Sequence, residues 1–162
     1  MEEKTSIEEL KEDYEILKNK YSLPDFTELN KDFSIEKISE IETELLLKEI
    51  RKFIADKLIH YSNFIEAILN PSNHSMFMFS FIRSICAKEK TKANEIYKEL
   101  SKIRLQLIKV DITYSEEKEA EFIKNSFKKW KNIKEDIISI LKNAEENFEN
   151  KTPQCNNKDY FG

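Results

Sequence analysis

Histidine and cysteine, which often supply metal ligands and catalytic groups, are scarce in this 162-residue chain, which contains two of each. His60 follows Asp56 by four residues, so the two side chains share one face of a helix. A carboxylate-bridged di-iron site in a helical bundle needs the pattern Glu-x-x-His twice. Neither His60 nor His74 has a glutamate three residues earlier. We interpret Asp56 and His60 as a polar surface pair and expect no metal and no cofactor.

Nucleophilic catalysis has equally little support in the sequence. Cys86 directly follows an apolar run, and a buried cysteine behaves as a small hydrophobic residue. Cys155 is distant, and without a Cys-x-x-Cys spacing a structural zinc site is not expected. The single glycine is Gly162, which excludes dinucleotide-binding motifs, P-loops and nucleophile elbows because each requires internal glycine. We predict that the chain is not an enzyme.

A basic cluster surrounds Trp130 and is the candidate nucleic-acid contact. Such lysines could bind the phosphates of RNA or of a ribosome with little base readout. Alternatively, they form the solvated back of a helix whose core side includes Trp130. We favour the second interpretation, because the net charge of −4 is far from that of a dedicated nucleic-acid binder. The cluster comprises Lys124, Lys128, Lys129, Lys131 and Lys134.

A run rich in methionine and phenylalanine is the candidate protein interface. Methionine and phenylalanine provide adaptable apolar contact area at binding sites, but a helix that is apolar all round is also typical of a buried core element. We expect a core helix enclosed by longer ones, with a docking patch as the other, compatible interpretation. The most favoured function is a non-enzymatic interaction module that binds a protein partner or itself. The interface candidates are Met76, Phe77, Met78, Phe79 and Phe81.

Helical periodicity dominates the rest of the chain, since apolar residues recur at steps of three and four. Three long helices are predicted over Ile41–Leu69, Lys92–Ile112 and Glu116–Phe148. Shorter helices are expected from Ser6 to near Lys20 and from Pro24 to Asn30. The short connection between the last two long helices makes them a hairpin. The predicted fold is all-α: an antiparallel bundle of three long helices plus shorter N-terminal and central helices.

Capping residues set the predicted helix starts. Ser39 with Glu42 forms a capping box, although Ser34 offers an earlier start, and Thr91 and Ser115 precede the other two long helices. In the last helix, Lys134 occupies one position of an otherwise apolar heptad stripe. That stripe comprises Ala120, Ile123, Phe127, Trp130, Ile137, Leu141, Ala144 and Phe148.

Domain organisation and location follow from the same patterns. We expect one domain over residues 1–149 and a polar tail over 150–162. Met76–Ile82 is the longest nearly unbroken apolar run, far short of the ~20 residues that cross a bilayer, so no membrane partner is expected. The charged segment Met1–Lys11 predicts no signal peptide, and we expect a cytoplasmic protein.

Three strings carry a resemblance to a known group of proteins. They are Leu23–Asn30, Leu69–Asn73 leading into Met76–Phe79, and Tyr114–Lys124. Across residues 6–148 the chain resembles small all-α proteins predicted from archaeal genomes, for which no activity is established. The resemblance implies an archaeal cytoplasm and no particular mechanism.

Overall fold

The fold consists of seven helices, which the computed structural model describes over residues 6–71 and 75–149, with no strand in these ranges. The three long helices pack against each other as an antiparallel bundle, which confirms the predicted fold class. In chain order the helices are α1 (Ser6–Tyr21), α2 (Phe26–Phe33), the 3-10 helix η1 (Ile35–Glu40), α3 (Leu46–Leu69), α4 (Met76–Ser84), α5 (Ala87–Ile112) and α6 (Glu116–Glu149).

The two N-terminal helices are joined by a short turn around Pro24. The hydroxyl of Tyr14 on α1 donates a 2.6 Å hydrogen bond to the carbonyl oxygen of Pro24. Asp25 keeps an extended backbone, so α2 begins at Phe26, two residues later than predicted. Phe26 and Leu29 are both buried, as their spacing indicated. The turn and the inner face of α2 together anchor α1.

Two serines adopt the left-handed conformation that usually belongs to glycine. Ser22 has φ 55° and Ser34 has φ 54°. Ser34 follows the last residue of α2, and its N–H donates a 2.7 Å hydrogen bond to the carbonyl oxygen of Asn30. This conformation costs an L-residue about 1–2 kcal/mol. A chain whose only glycine is Gly162 carries that cost at two turns.

The start of α3 differs from the prediction. The capping box Ser39–Glu42 does not open the helix, which begins at Leu46 instead of Ile41. The preceding residues form η1, in which Ile35 and Ile38 are both buried; residues three apart lie on the same side of a 3-10 helix. Burial of this isoleucine pair fixes the chain in η1 and delays the start of α3.

The start of α5 also differs, by five residues in the opposite direction. The helix begins at Ala87, and Thr91 lies inside it, donating a 3.1 Å hydrogen bond to the Ala87 carbonyl oxygen. The carboxylate of Glu89 accepts a 2.8 Å hydrogen bond from the Cys86 N–H. Glu89 is itself buried. The cap is therefore supplied by a glutamate inside the first turn, so no Ser or Thr is needed before it.

The start of α6 agrees with the prediction, because the N–H of Lys118 donates to the Ser115 hydroxyl at 3.2 Å. The predicted stripe is buried from Ala120 to Trp130, but it then changes register. A step of three to Ile133 replaces the predicted step of four to Lys134, a shift of the kind that interrupts heptad repeats. Beyond that point, the buried residues are Ile133, Ile137, Ile140 and Ala144, whereas the predicted Leu141 and Phe148 are exposed.

The chain divides into two compact units, and each long helix contributes one segment to each of them. Within the described residues, the first unit covers 6–59 and 102–130 and the second covers 60–71, 75–101 and 131–149. A single domain over 1–149 stays a prediction, and the tail predicted over 150–162 lies outside the described residues. The fully buried large residues include Tyr14, Leu29, Ile50, Ile54 and Ile123 in the first unit and Ile65, Ile68 and Ile140 in the second.

Candidate functional site

The side chains considered for metal or acid–base chemistry do not form a cluster. Asp56 and His60 are both exposed on α3, and the His60 ring meets the Tyr61 ring edge-on at 5.5 Å between centroids. His74 lies outside the described residues. Over 6–71 and 75–149, no group of three or more His, Cys, Asp or Glu side chains could hold a metal ion. Cys86 is half-buried beside the α5 cap.

The Met/Phe-rich helix α4 has one buried face and one exposed face. Ser75 caps it, accepting a 3.4 Å hydrogen bond from the Met78 N–H. Ile82 and Ile85 are buried. On the exposed side, Met76 is 83% exposed and lies between Phe77 and Phe79, which are 69% and 43% exposed on its two flanks. The expectation of a core helix enclosed on all sides is therefore wrong for these three residues.

The side chains of Met78 and Phe81 are half-buried and lie on the inner side of α4. The Phe81 ring lies 5.8 Å from that of Phe64 on α3, and the Phe77 ring stacks on Phe81 at 6.2 Å. Residues Met78, Ile82 and Ile85 are spaced four and three apart, as one helix face requires. Ser80 and Arg83 are exposed and lie four and seven residues after Met76, on the same side of α4. This polar spacing distinguishes the exposed side from the inner one, and the sequence analysis did not use it.

The C-terminal end of α4 is anchored within the second unit. The Asn147 side chain on α6 donates a 2.9 Å hydrogen bond to the carbonyl oxygen of Ser84. The Ser84 hydroxyl donates to the carbonyl oxygen of Phe81 at 2.6 Å. These contacts hold the last turn of α4, while Met76 and Phe77 in its first turn present their side chains to solvent. The five interface candidates thus divide into three exposed and two half-buried residues.

The basic cluster on α6 is only partly available to a ligand. Trp130 is 2% exposed, its indole N–H donates a 3.0 Å hydrogen bond to Oδ2 of Asp32, and its ring lies 5.9 Å from that of Phe33. Lys124 donates a 2.9 Å hydrogen bond to the carbonyl oxygen of Tyr21. Trp130 is thus a core residue, as its heptad position indicated. Lys128 and Lys131 are exposed, whereas Lys124, Lys129 and Lys134 are half-buried. RNA binding by this cluster stays a prediction.

The sequence did not predict a buried ion pair that lies in the first unit. Nε of Arg51 on α3 lies 2.6 Å from Oε2 of Glu119 on α6, and its guanidinium also contacts Oδ1 of Asp111 on α5 at 2.7 Å. The Nε–H direction does not meet hydrogen-bond geometry, so the Arg51–Glu119 contact is one of charge. Burial raises the pKa of Glu119, although the nearby Arg51 acts to lower it. No sequence spacing links these residues, which lie on three helices.

Comparisons with protein-family models, with curated proteins and with solved structures found no match for this chain. Among the described helices, none combines the length and apolar character that crossing a membrane requires.

Proposed function

We propose that this chain is a non-enzymatic interaction module that docks onto another protein through the exposed face of α4. The observation that carries the proposal is the solvent exposure of Met76, Phe77 and Phe79 on a helix whose other face is buried. Large apolar side chains grouped on one surface are typical of interaction sites, whereas single exposed ones are ordinary.

The size of this face favours a different protein over a second copy as the partner. With aromatic side chains of 150–250 Å² each, the three exposed residues present on the order of 400 Å². Two copies joined through this face alone would bury on the order of 800 Å², the range of crystal contacts, whereas stable interfaces bury about 1,200–2,000 Å². A larger partner with an apolar cleft would bury α4 and contact residues around it.

The chemistry of the face predicts how the partner is recognised. The segment Ser75–Ile82 contains no charged residue, and the exposed face carries a single charge, Arg83, seven residues after Met76. Flexible methionine and planar phenylalanine side chains fit apolar clefts of varied shape. We therefore expect binding that depends weakly on salt. The cytoplasmic location belongs to this proposal and rests on the resemblance to archaeal proteins.

The proposal is tested by affinity purification from the native cell with three baits, with and without nuclease. The baits are the wild type, Phe77→Ser combined with Phe79→Ser, and the control Ile138→Ser, which changes an exposed residue of α6 in the same unit. A supporting partner is retained by the wild type and the control after nuclease treatment and is absent with the double variant.

That partner is then purified and titrated against the same three proteins. We expect its affinity for the double variant to fall at least about tenfold, since central apolar residues dominate interface energies. Equal affinities for all three proteins would reject the α4 face. Light scattering distinguishes a different protein from a second copy as the partner. If the wild type is a dimer and the double variant is a monomer, the α4 face binds a second copy.

A further inference from the structure

A second apolar surface lies on the outer face of α5, in the first unit. The exposed fractions are 61% for Leu105, 49% for Ile108 and 76% for Ile112. These residues are three and four positions apart, so they form one line along the helix. Ile103 and Val110, on the opposite side of the same turns, are buried. The outer stripe is therefore separate from the face that packs into the core.

Positive charge borders this stripe. Lys102 and Lys109 lie along one side of it and Arg104 along the other, given 3.6 residues per turn, and all three are exposed. Asp111 is the one acidic residue between positions 102 and 112. Its carboxylate lies 2.7 Å from NH1 of Arg51, which also contacts Glu119, and it follows Arg104 by seven residues on the same side of the helix. One edge of the stripe is therefore cationic, with Lys102 and Lys109, and the other carries Arg104 together with Asp111.

A groove between α5 and α6 adjoins the stripe and has a volume of about 480 Å³. Its apolar lining comes from the buried Val110 and Phe122 and from Ile112, which also belongs to the stripe. Lys109 and Lys118 add positive charge to the lining, against the single acidic residue Glu121. The stripe and the groove therefore form one continuous surface.

We propose that this surface binds an amphipathic helix of another protein whose apolar side is flanked by aspartate and glutamate. An apolar helix face lies in a groove through anchors spaced at i, i+3, i+4 and i+7, which matches the spacing of the stripe. Acidic residues beside those anchors would meet Lys102, Arg104 and Lys109. The surface lies in a different unit from α4, so either proposal can fail without the other.

Charge and shape argue against three other ligands for this surface: a second copy of the chain, nucleic acid and an anionic bilayer. A second copy using the same face would bring Lys102, Arg104 and Lys109 of both copies into one interface, and like charges across an interface are costly. Single-stranded nucleic acid is bound by basic grooves that also offer aromatic rings for base stacking, which leucine and isoleucine cannot provide. An anionic bilayer attracts basic amphipathic helices, but a flat bilayer would leave the groove unfilled.

The test uses fluorescence anisotropy with two synthetic helical peptides of about four heptads, each with leucine at the a and d positions. One has glutamate at the e and g positions, and the other has lysine there. We expect the glutamate peptide to bind at least about tenfold more tightly, because several opposite charges meet across the contact. Its affinity should fall with added salt.

Charge reversal locates the site. Arg104→Glu combined with Lys109→Glu should reverse the preference, so that the lysine peptide binds more tightly. The control, Lys128→Glu combined with Lys131→Glu, changes the net charge equally on α6 and should keep the wild-type preference. Ile112→Ser should weaken binding of the glutamate peptide, and its high exposure makes loss of folding unexpected. Thermal melts confirm that each variant is folded.

Three results would overturn the proposal. The first is that the wild type binds neither peptide, or binds both equally. The second is binding to phosphatidylglycerol vesicles but not to the glutamate peptide, which would identify a membrane surface. The third is a wild-type dimer, seen by light scattering, that Ile112→Ser dissociates, which would identify a second copy.

Discussion

The indole N–H of Trp130 donates a 3.0 Å hydrogen bond to the carboxylate of Asp32, 98 residues earlier in the chain. The contact connects α6 to α2. We expect Asp32→Ala to lower the free energy of unfolding by about 1–3 kcal/mol, because it leaves the buried indole N–H without this acceptor. Asp32→Asn keeps an acceptor oxygen and should cost less. Urea unfolding measures both, and equal losses would show that the hydrogen bond contributes nothing.

The orientation of α4 is tested by two substitutions on opposite faces. Ile82→Ala should lower stability by about 2–5 kcal/mol, as expected for a buried large-to-small change. Phe77→Ala should alter it by less than about 0.5 kcal/mol, because its side chain is mostly exposed. Thermal or urea unfolding of both variants gives the comparison. A loss at Phe77 as large as that at Ile82 would mean that α4 turns the other face inward.

The left-handed serines offer a route to greater stability. Ser34→Gly should raise the free energy of unfolding by up to about 1 kcal/mol, because glycine adopts φ 54° without the steric cost to an L-residue. Ser34→Ala keeps the steric cost and serves as the control. Differential scanning calorimetry measures the stability of both variants against the wild type. The strain explanation fails if alanine stabilises as much as glycine does.

Glu119 and Glu116, both in the first turn of α6, should give pH dependences of opposite sign. Burial raises the pKa of Glu119 above its ordinary 4.5, so the folded state holds this proton more tightly than the unfolded state. Protonated Glu119 therefore stabilises the folded state fully below pH 4.5. This stabilisation is lost as the pH rises from 4.5 through the raised pKa that Glu119 has in the folded state. The stability of the wild type relative to Glu119→Gln should therefore fall over that window.

Glu116 behaves in the reverse way. Its hydrogen bond from the Tyr21 hydroxyl, with further help from Lys20, lowers its pKa below 4.5. Ionised Glu116 therefore stabilises the folded state above pH 4.5. This stabilisation is lost as the pH falls through the lowered pKa that Glu116 has in the folded state. Relative to Glu116→Gln, the wild type should lose stability in acid. Urea titrations across the acid range check both variants, and two slopes of the same sign would contradict the assignment.

The nucleic-acid alternative predicts a different result from that of the α4 proposal. If the α6 lysines bind RNA phosphates, Lys128→Glu with Lys131→Glu should weaken binding for every RNA sequence. The salt slope should also fall by about one for each phosphate-binding lysine that is replaced. Filter binding at several salt concentrations measures both. Absence of RNA retention by the wild type at low salt would reject this alternative.

The helical class was predictable because its signals are local and repeated. The steps of three and four along α3 and α5 need no knowledge of partners, and Ser115 is followed by Glu116 and Glu117, which favour a helix start. The starts of α3 and α5 were predicted wrongly because Ser39 and Thr91 are suitable capping residues by type, yet neither opens a helix in the structure. The burial of Ile35 and Ile38 and the burial of Glu89 set the observed helix starts. Burial depends on the folded environment, which the sequence does not show directly.

The candidate surfaces were harder to predict. The composition of α4 identified it as unusual, but the steps of four and three from Met76 to Ser80 and Arg83, which mark its exposed side, were not used. The outer stripe of α5 was overlooked because Leu105 and Ile108 lie beside the stronger periodicity of the core face. The ion pair of Arg51 with Glu119 joins residues far apart in sequence, whose pairing follows from helix packing alone.

The hydrogen bond between Asp32 and Trp130 also has a consequence for synthesis on the ribosome. The other contacts that connect α1 and its following turn to α6 span similar distances, from Tyr21 to Lys124 and from Lys20 to Glu116, 103 and 96 residues apart. The first two helices therefore leave the ribosome long before their α6 partners exist. Closing loops of this length is slow compared with forming the adjacent α5–α6 hairpin. We therefore expect the N-terminal helices, although they are made first, to complete their packing last.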